Sequence, residues 1–226
     1  MKLDLHNHSY YSIDASSAPE KIIKRAKEVG LDGIALTDHN TTKGWKEAEK
    51  AAKKYKILFI KGEEIKTKVN GRFFSDIVAL FIKKEIQEKD PKKVLKEIKK
   101  QGGIAILPHP FHWVLPFKGD ISKFKDFFDG VEVINARMPS KRTDKKALAF
   151  AKKQNMAMVG SSDSHYWRNV GDAYTIAEGA RTLEDFREAL SRKKTKAGGK
   201  KSSFISVVTT PLSRFKIIGK VPKEKY

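Results

Sequence analysis

The sequence of 226 residues contains no cysteine, which excludes disulfide bonds and thiolate ligands for a metal ion. Histidine, aspartate, glutamate or backbone oxygen atoms would therefore have to hold any metal ion. No apolar run approaches the roughly 18–20 residues that a membrane-spanning helix needs. The N-terminus also lacks the basic, apolar and small-residue regions of a signal peptide. We therefore expect a cytoplasmic protein with no membrane partner.

Acidic residues are scarce relative to basic ones, since 27 aspartates and glutamates face 47 lysines and arginines, for a formal charge of +20. A positive field of this size attracts phosphate-bearing molecules and nucleic acid. Lysine and glutamate spread over helix surfaces explain the same composition equally well. One cluster, residues 192–201, is basic, contains glycine and carries no acid. We predict a flexible loop there, either solvated or in contact with a polyanion.

Short apolar runs alternate with amphipathic segments about seven times along the chain. Hydrophobic residues make up 39% of the sequence, which is enough for a core, and no repeat or low-complexity linker interrupts the alternation. We predict one domain over residues 1–226, with the place of residues 210–226 left open. The alternation favours an α/β architecture, either a barrel or an open doubly wound sheet.

Local signals refine this pattern at a few positions. Ser17, three residues before Glu20, predicts a capping box at the first helix. Asn70-Gly71 predicts a hairpin turn between two strands. Residues 121–128 are expected to form a short helix, and residues 204–208 a closing strand.

Two histidines, His6 and His8, follow the first predicted strand with one residue between them. Side chains at this spacing on an extended strand point to the same face, so the two imidazoles form a chelate for a borderline metal ion. Asp163 and His165 repeat the spacing after a later buried strand. Two independent chelating pairs predict a metal site.

Polar side chains also follow the C-terminal ends of the other predicted strands. They are His39, Glu64, His109 and Asn135. Strand ends converge on one site in a barrel, whereas an open sheet spreads them along a wide edge. We therefore predict a distorted (β/α)7 TIM-like barrel with the metal site at the C-terminal ends of its strands.

Five segments, taken together, resemble the successive motifs of the PHP superfamily, named after DNA polymerase and histidinol phosphatase. They are His6-Asn7-His8 with Asp14, Leu36-Thr37-Asp38-His39-Asn40, Gly62-Glu63-Glu64, His109-Pro110 and Gly160-Ser161-Ser162-Asp163-Ser164-His165. Members of this superfamily are distorted barrels of seven strands whose two or three metal ions hydrolyse phosphoesters. The resemblance implies the same fold and chemistry here.

The resemblance also implies a ligand set for three metal ions. The first takes His6, His8 and Asp163, Glu64 bridges it to a second with His109 and Asp76, and the third takes Asp14, His39 and His165. Asp76 stands where many members have histidine. A ligand that some members supply after the sixth strand corresponds to Glu132, Asn135 or water. We expect Glu64, His109 and Asp163 to be the catalytic residues.

Phosphoester hydrolysis suits this set of ligands on chemical grounds as well. Two ions about 3.5–4 Å apart acidify a bridging water to hydroxide and clamp the phosphoryl oxygens. Mixed imidazole and carboxylate ligands favour Mn, Zn or Fe over Mg or Ca. Arg137 is a candidate phosphate ligand, although it is equally a surface arginine of a basic protein, and Arg168 is a weaker candidate of the same kind.

Several neighbouring residues have two interpretations each. Asp38 either orients a metal ligand or caps the following helix. His112 and Trp113 either line the mouth of the pocket or pack within a loop, and we expect the loop. Aromatic residues near the motifs either stack on a ligand or are packed: Tyr10, Tyr11 and Trp167.

We expect a metal-dependent phosphomonoesterase that acts on a small anionic substrate, such as a nucleotide or histidinol phosphate. The alternative is a nuclease or phosphodiesterase, which the charge and the basic cluster favour. A further alternative is a metal-binding or nucleic-acid-binding module without catalytic activity. The sequence selects no oligomeric state.

Overall fold

A computed structural model describes residues 1–203 of the chain. Their strands are β1 (Lys2–Asp4), β2 (Gly33–Leu36), β3 (Leu58–Val69), β4 (Arg72–Leu80), β5 (Ile104–Leu107), β6 (Gly130–Asn135), β7 (Ala157–Ser161), β8 (Ala173–Ala177) and β9 (Thr195–Gly199). Their α-helices are α1 (Pro19–Glu28), α2 (Trp45–Tyr55), α3 (Pro91–Lys100), α4 (Lys141–Lys153) and α5 (Leu183–Ser191).

The strands form one sheet in the order β7-β6-β5-β4-β3-β2-β1-β8-β9. β1, β2 and β3 are mutually parallel, as are β5, β6 and β7, and β4 runs antiparallel between the two groups. β8 is antiparallel to both β1 and β9. The parallel strands and β9 therefore end at the same side of the sheet.

The two ends of the sheet nearly meet, which gives it the shape of a barrel. Thr195 of β9 donates its hydroxyl to the carbonyl of Met158 in β7 at 2.9 Å. Thr175 of β8 donates to the carbonyl of Gly160 at 2.9 Å and accepts from its N–H at 3.1 Å. The predicted α/β barrel is confirmed. The described sheet has nine strands rather than seven: six strands in the two parallel groups, the antiparallel hairpin strand β4 and the pair β8–β9.

Apolar faces of the helices cover the outside of this sheet. In α3, Val94, Leu95 and Ile98 recur at helical spacing and are completely buried. The predicted Asn70-Gly71 turn joins β3 to β4, and both of its residues have the positive φ that such a turn requires. Among residues 1–203, the helices are all too short or too polar to cross a membrane.

Two local predictions were wrong. Ala18, not Ser17, is the N-cap of α1, and no side chain caps this helix. The hydroxyl of Ser17 accepts instead from the N–H of Trp167 at 2.9 Å, so a tertiary contact has replaced the local one. The segment 121–128 forms two 3₁₀ turns, Ile121–Lys123 and Lys125–Phe127, rather than one helix.

The predicted basic loop at 192–201 was also wrong in part, because half of it is strand β9. Arg192 pairs with Glu188 at 2.7 Å, and Lys196 pairs with Glu178 at 2.7 Å. Acids from other segments therefore neutralise part of its charge. The predicted strand 204–208 and the segment 210–226 lie outside the described residues, and the single domain over 1–226 stays a prediction.

Candidate active site

His6 and His8 extend past the end of β1 into the interior of the barrel. Their strand conformation is held from both sides, since the N–H of His8 donates to the carbonyl of Ser164 and the N–H of Thr37 donates to the carbonyl of Asn7, both at 2.8 Å. Both imidazoles are fully buried. The backbone conformation therefore places the two imidazoles next to each other, as the spacing predicts.

Glu64 lies at the centre of the site, with four imidazoles around its carboxylate. Its Oε1 is 3.4 Å from Nε2 of His6 and 3.2 Å from Nε2 of His109. Its Oε2 is 3.4 Å from Nε2 of His8 and 2.8 Å from Nδ1 of His39. Because each oxygen faces a different pair of histidines, this carboxylate has the geometry of a bridge between two cations.

Asp163, two residues past the end of β7, faces three histidines, two of which also face Glu64. Its Oδ1 lies 3.7 Å from Nε2 of His6, 3.4 Å from Nε2 of His8 and 3.5 Å from Nδ1 of His165. Asp163 has a φ of 51° and His109 a φ of 27°, in the left-handed region that costs a non-glycine residue energy. Such strain occurs where the surrounding structure fixes a side chain for a function.

Asp14 closes the outer side of the site from the loop after β1. Its two oxygens lie 3.4 Å from Nε2 of His39 and 3.3 Å from Nε2 of His165. Its side chain is 40% exposed, whereas the side chains of Glu64 and Asp163 are 1% and 6% exposed. Asp14 therefore lies at the solvent side of the cluster.

The buried charges of this cluster depend strongly on one another. Burial raises the pKa of Glu64, but His6, His39 and His109 outweigh this and hold that pKa well below its usual value. Burial likewise lowers the pKa of His6, while Asp163, Glu64 and Glu132 raise it well above its usual value. Burial and the neighbouring His165 and His39 lower the pKa of His8. The carboxylates thus require positive charge inside the barrel, which a proton or a metal ion supplies.

The arrangement of the imidazole nitrogens and carboxylate oxygens suits metal ions better than it suits hydrogen bonds between these side chains. Nε2 of His6 and Nε2 of His8 are buried without a hydrogen-bond partner among the described residues. Buried polar atoms of this kind are costly unless something binds them. Three groups have their ligand atoms within 4.8 Å of one another: His6 with His8 and Asp163, His6 with Glu64 and His109, and His8 with His39 and His165.

Glu132 holds His6 from behind. Its Oε1 accepts from Nδ1 of His6 at 2.9 Å, and its Oε2 accepts from the N–H of His109 at 3.0 Å and from the amide of Asn135 at 2.9 Å. Asn135 also donates to Oδ2 of Asp163 at 3.2 Å. Both residues therefore orient the candidate ligands. This arrangement leaves Nε2 of His6 as the nitrogen that faces Glu64 and Asp163.

Asp38 has a similar supporting position. It accepts from the N–H and hydroxyl of Ser9 and from the hydroxyl of Ser12, each at 2.7 Å. Ser12 in turn accepts from the N–H of His39 at 3.0 Å. The N-cap of α2 is Gly44, so of the two interpretations of Asp38 the structure supports the orienting one and not the cap.

The structure distinguishes Glu64 from its neighbour Glu63. Alternation along β3 turns Glu63 away from the cavity, where its Oε2 accepts from the N–H of Ile86 at 2.9 Å. Burial raises the pKa of Glu63 to about 7. Glu64 is the carboxylate that faces the histidines.

A cavity of about 140 Å³ lies over the cluster. Its lining includes Asp76, His112 and two cations, Arg137 and Lys66. Oδ1 of Asp76 is buried, lacks a hydrogen-bond partner among the described residues and lies 3.6 Å from Nζ of Lys66. Arg168 is exposed and does not line this cavity, and its guanidinium lies 5.2 Å from the ring of Trp167.

Sequence reasoning missed Lys66 and did not define the role of Glu132. Lys66 lies two residues after Glu64 on the same strand, so its place on the same face could have been read from the spacing. Glu132 is a charged residue inside the apolar strand β6, which is itself a signal of a functional or structural role.

A family model described as "PHP domain" matches residues 4–190. An uncharacterized protein of Methanocaldococcus jannaschii, MJ1587, is 37% identical over 147 residues, which cover 60% of this chain and 82% of that protein. A 5'-3' exoribonuclease of Haemophilus influenzae is 45% identical over 71 residues, 31% of this chain and 26% of the enzyme.

Among solved structures, a two-domain protein of Bacteroides vulgatus is similar over 88% of this chain, with 26% identity and a TM-score of 0.74. Its description is a protein containing a predicted PHP-like metal-dependent phosphoesterase. The match covers 65% of that longer chain. With the family match over most of its length and the converging histidines and carboxylates, this chain belongs to the PHP domain family of metal-dependent phosphoester hydrolases.

Proposed function

We propose that the protein is a phosphomonoesterase for small anionic substrates, such as a nucleotide or histidinol phosphate. The observation that carries the proposal is the small cavity, in which the two side-chain cations Arg137 and Lys66 stand beside the buried histidine and carboxylate cluster. A phosphomonoester brings up to two negative charges into a site, and a diester brings one. Two cations in addition to metal ions therefore suit the monoester.

The contacts of the cluster support the ligand set that we propose. The first ion is assigned to His6, His8 and Asp163, and the third to Asp14, His39 and His165. Oε1 of Glu64 faces both His6 of the first set and His109 of the second, so Glu64 is proposed as the bridge between the first and second ions.

The second ion is assigned to His109 and Asp76, whose buried Oδ1 is available. Two or three ions of Mn, Zn or Fe suit these nitrogen and oxygen donors. Bound there, such ions supply the acidity that activates water near neutral pH and the charge that stabilises the phosphoryl oxygens.

The chain itself positions the substrate. Arg137 lies in the turn after β6, where its N–H and that of Met138 donate to Oδ1 of Asn135 at 3.1 and 3.2 Å. The same Asn135 contacts Asp163. We assign to Arg137 the binding of the phosphoryl oxygens, because a guanidinium matches a phosphate with two parallel hydrogen bonds. Arg168 does not line the cavity, so its role in substrate binding stays a prediction.

A nuclease is the second candidate, supported by the similarity to the exoribonuclease and by the charge of +20. The first three residues of the basic cluster do not strengthen it. Residues 192–194 precede β9. The first residue of β9, Thr195, pairs with Ala177 of β8, which lies beside the N-terminal end of β1. These residues lie at the end of the barrel opposite the cavity, so a nucleic-acid strand bound at the site would not contact them.

The test compares substrates on protein loaded with Mn or Zn. The panel contains a generic phosphomonoester, histidinol phosphate, a nucleotide series, a phosphodiester and a short single-stranded oligonucleotide. We expect turnover of monoesters. Turnover of only the diester and the oligonucleotide would replace the phosphatase with the nuclease, and no turnover with any metal would favour a binding module. The cytoplasmic location stays a prediction.

A further inference from the structure

Exposed apolar side chains concentrate beside the cavity. Among residues 1–203, seven large apolar side chains are exposed, and four of them lie in the two loops that flank it. These four, here named the apolar rim, are Ile13, Trp113, Val114 and Leu115. Asp14, next to Ile13, and Leu115 itself line the cavity, so the rim borders its mouth. A patch of this kind on a highly charged protein indicates a binding surface.

Trp113 was expected to pack within its loop, but 77% of its surface is exposed. The loop nevertheless has a defined conformation. Nδ1 of His112 accepts from the N–H groups of Val114 and Leu115, both at 2.9 Å, and the N–H of Phe117 donates to the carbonyl of Pro110 at 3.1 Å. The indole is therefore presented to solvent by a turn that its own hydrogen bonds organise.

A substrate bound in the cavity must direct its alcohol part towards this rim. The cations and the proposed metal ligands lie inside the cavity and hold the phosphoryl group, so the ester oxygen and its substituent point outwards to the mouth. We propose that the apolar rim binds a planar aromatic ring in the alcohol part of the phosphoester, with Trp113 stacked on that ring. This proposal rests on the proposed phosphomonoesterase and names its substrate class.

An aromatic ring fits this surface better than a protein partner does. A stable protein interface buries about 800 Å² on each side and uses about 20–30 residues, far more than four side chains supply. One indole offers a flat, rigid face that loses little conformational freedom on binding. Ile13, on the loop after β1, is also 77% exposed and stands next to Asp14, which lines the cavity.

The test pairs two substrates that differ mainly in the ring, benzyl phosphate and ethyl phosphate. For Trp113→Ala we expect kcat/KM on benzyl phosphate to fall about tenfold through KM, as the loss of one stacking contact implies. We expect less than a twofold change on ethyl phosphate. Trp113→Phe should stay within about threefold of the wild type on both, since it keeps an aromatic face. Leu148→Ala, at an exposed apolar residue of α4, is the matched control and should change neither.

Equal losses on both esters, or no loss on benzyl phosphate, would overturn the proposal. If the wild type hydrolyses neither ester, the proposed function fails separately, and calorimetry on the Mn-loaded protein decides the inference. Benzylphosphonate should then bind about tenfold more weakly to Trp113→Ala than to the wild type, and methylphosphonate equally to both. Equal affinity of the two proteins for benzylphosphonate overturns it.

Discussion

The substitution Glu132→Gln tests how the barrel orients His6. Glu132 accepts three hydrogen bonds, from Nδ1 of His6, the N–H of His109 and the amide of Asn135. A carboxylate only accepts, so Nδ1 of His6 carries a hydrogen towards Glu132, and Nε2 is the nitrogen left to bind a metal ion in place of a proton. Glutamine has almost the same shape but one acceptor oxygen and one donating NH2 group.

In the variant, the oxygen is expected to keep its two donors, His109 and Asn135. The NH2 group then faces His6 and favours the tautomer whose hydrogen is on Nε2, the nitrogen assigned to the metal. Loss of such a supporting contact costs about 10–100-fold in metal affinity, or about 1.4–2.7 kcal/mol. Competition with a chromogenic chelator measures this affinity for Mn or Zn.

Glu63→Gln is the matched control. Glu63 is equally buried on the same barrel, but it faces away from the cavity and accepts from the N–H of Ile86. Glu132→Gln is expected to lose about 1–3 kcal/mol of the free energy of unfolding in the metal-free state. Glu63→Gln should lose less, because glutamine keeps an acceptor for the N–H of Ile86 and carries no buried charge. Only Glu132→Gln should weaken metal binding. Wild-type affinity in Glu132→Gln, or an equal loss in Glu63→Gln, would refute the orienting role.

Three further substitutions have expected outcomes. Asp14→Ala should lower the number of tightly bound ions by one in elemental analysis of the dialysed protein, because Asp14 faces His39 and His165; unchanged stoichiometry would contradict the third site. Lys201→Met should raise KM for a phosphomonoester several-fold, with a smaller effect on kcat. The reason is that the Lys201 ammonium, beside the Arg137 turn, donates to the carbonyl of Asn135 at 2.8 Å and pairs with Asp144 at 2.5 Å. An unchanged KM would show that this contact does not position the turn. Gly62→Ala should lower the free energy of unfolding, measured in urea, by about 1–3 kcal/mol. A Cβ at this position would lie 2.8 Å from the Thr37 side chain and 2.9 Å from the Ala79 carbonyl. Wild-type stability would mean that the sheet adapts.

The spacing of the histidines made the centre of the site predictable. Residues two apart on a strand share a face, and a barrel brings its strand ends together. His6, His8, Asp163 and His165 are therefore adjacent in the structure, as expected. Spacing does not show which of two consecutive glutamates faces inwards. Only the position of β3 in the sheet shows that Glu64, rather than Glu63, is the inward-facing residue.

Tertiary contacts explain the predictions that were wrong. After Thr195, strand β9 consists of lysine, alanine and two glycines, so its strand propensity is poor. Its pairing with all five residues of β8 makes it a strand. Ser17 had the sequence of a capping box but accepts from Trp167, which is 150 residues away. The exposure of Trp113 likewise depends on a turn around His112 that no local pattern indicates.

Restoration of activity by metal tests the central claim most directly. Protein stripped with a chelator and then titrated with Mn or Zn is assayed on a phosphomonoester, as the wild type and as Asp163→Ala. The buried contacts of Asp163 with His6, His8 and His165 predict that metal restores activity to the wild type and not to the variant. Full activity of the stripped wild type, or of Asp163→Ala, would contradict a metal-dependent phosphoesterase at this site.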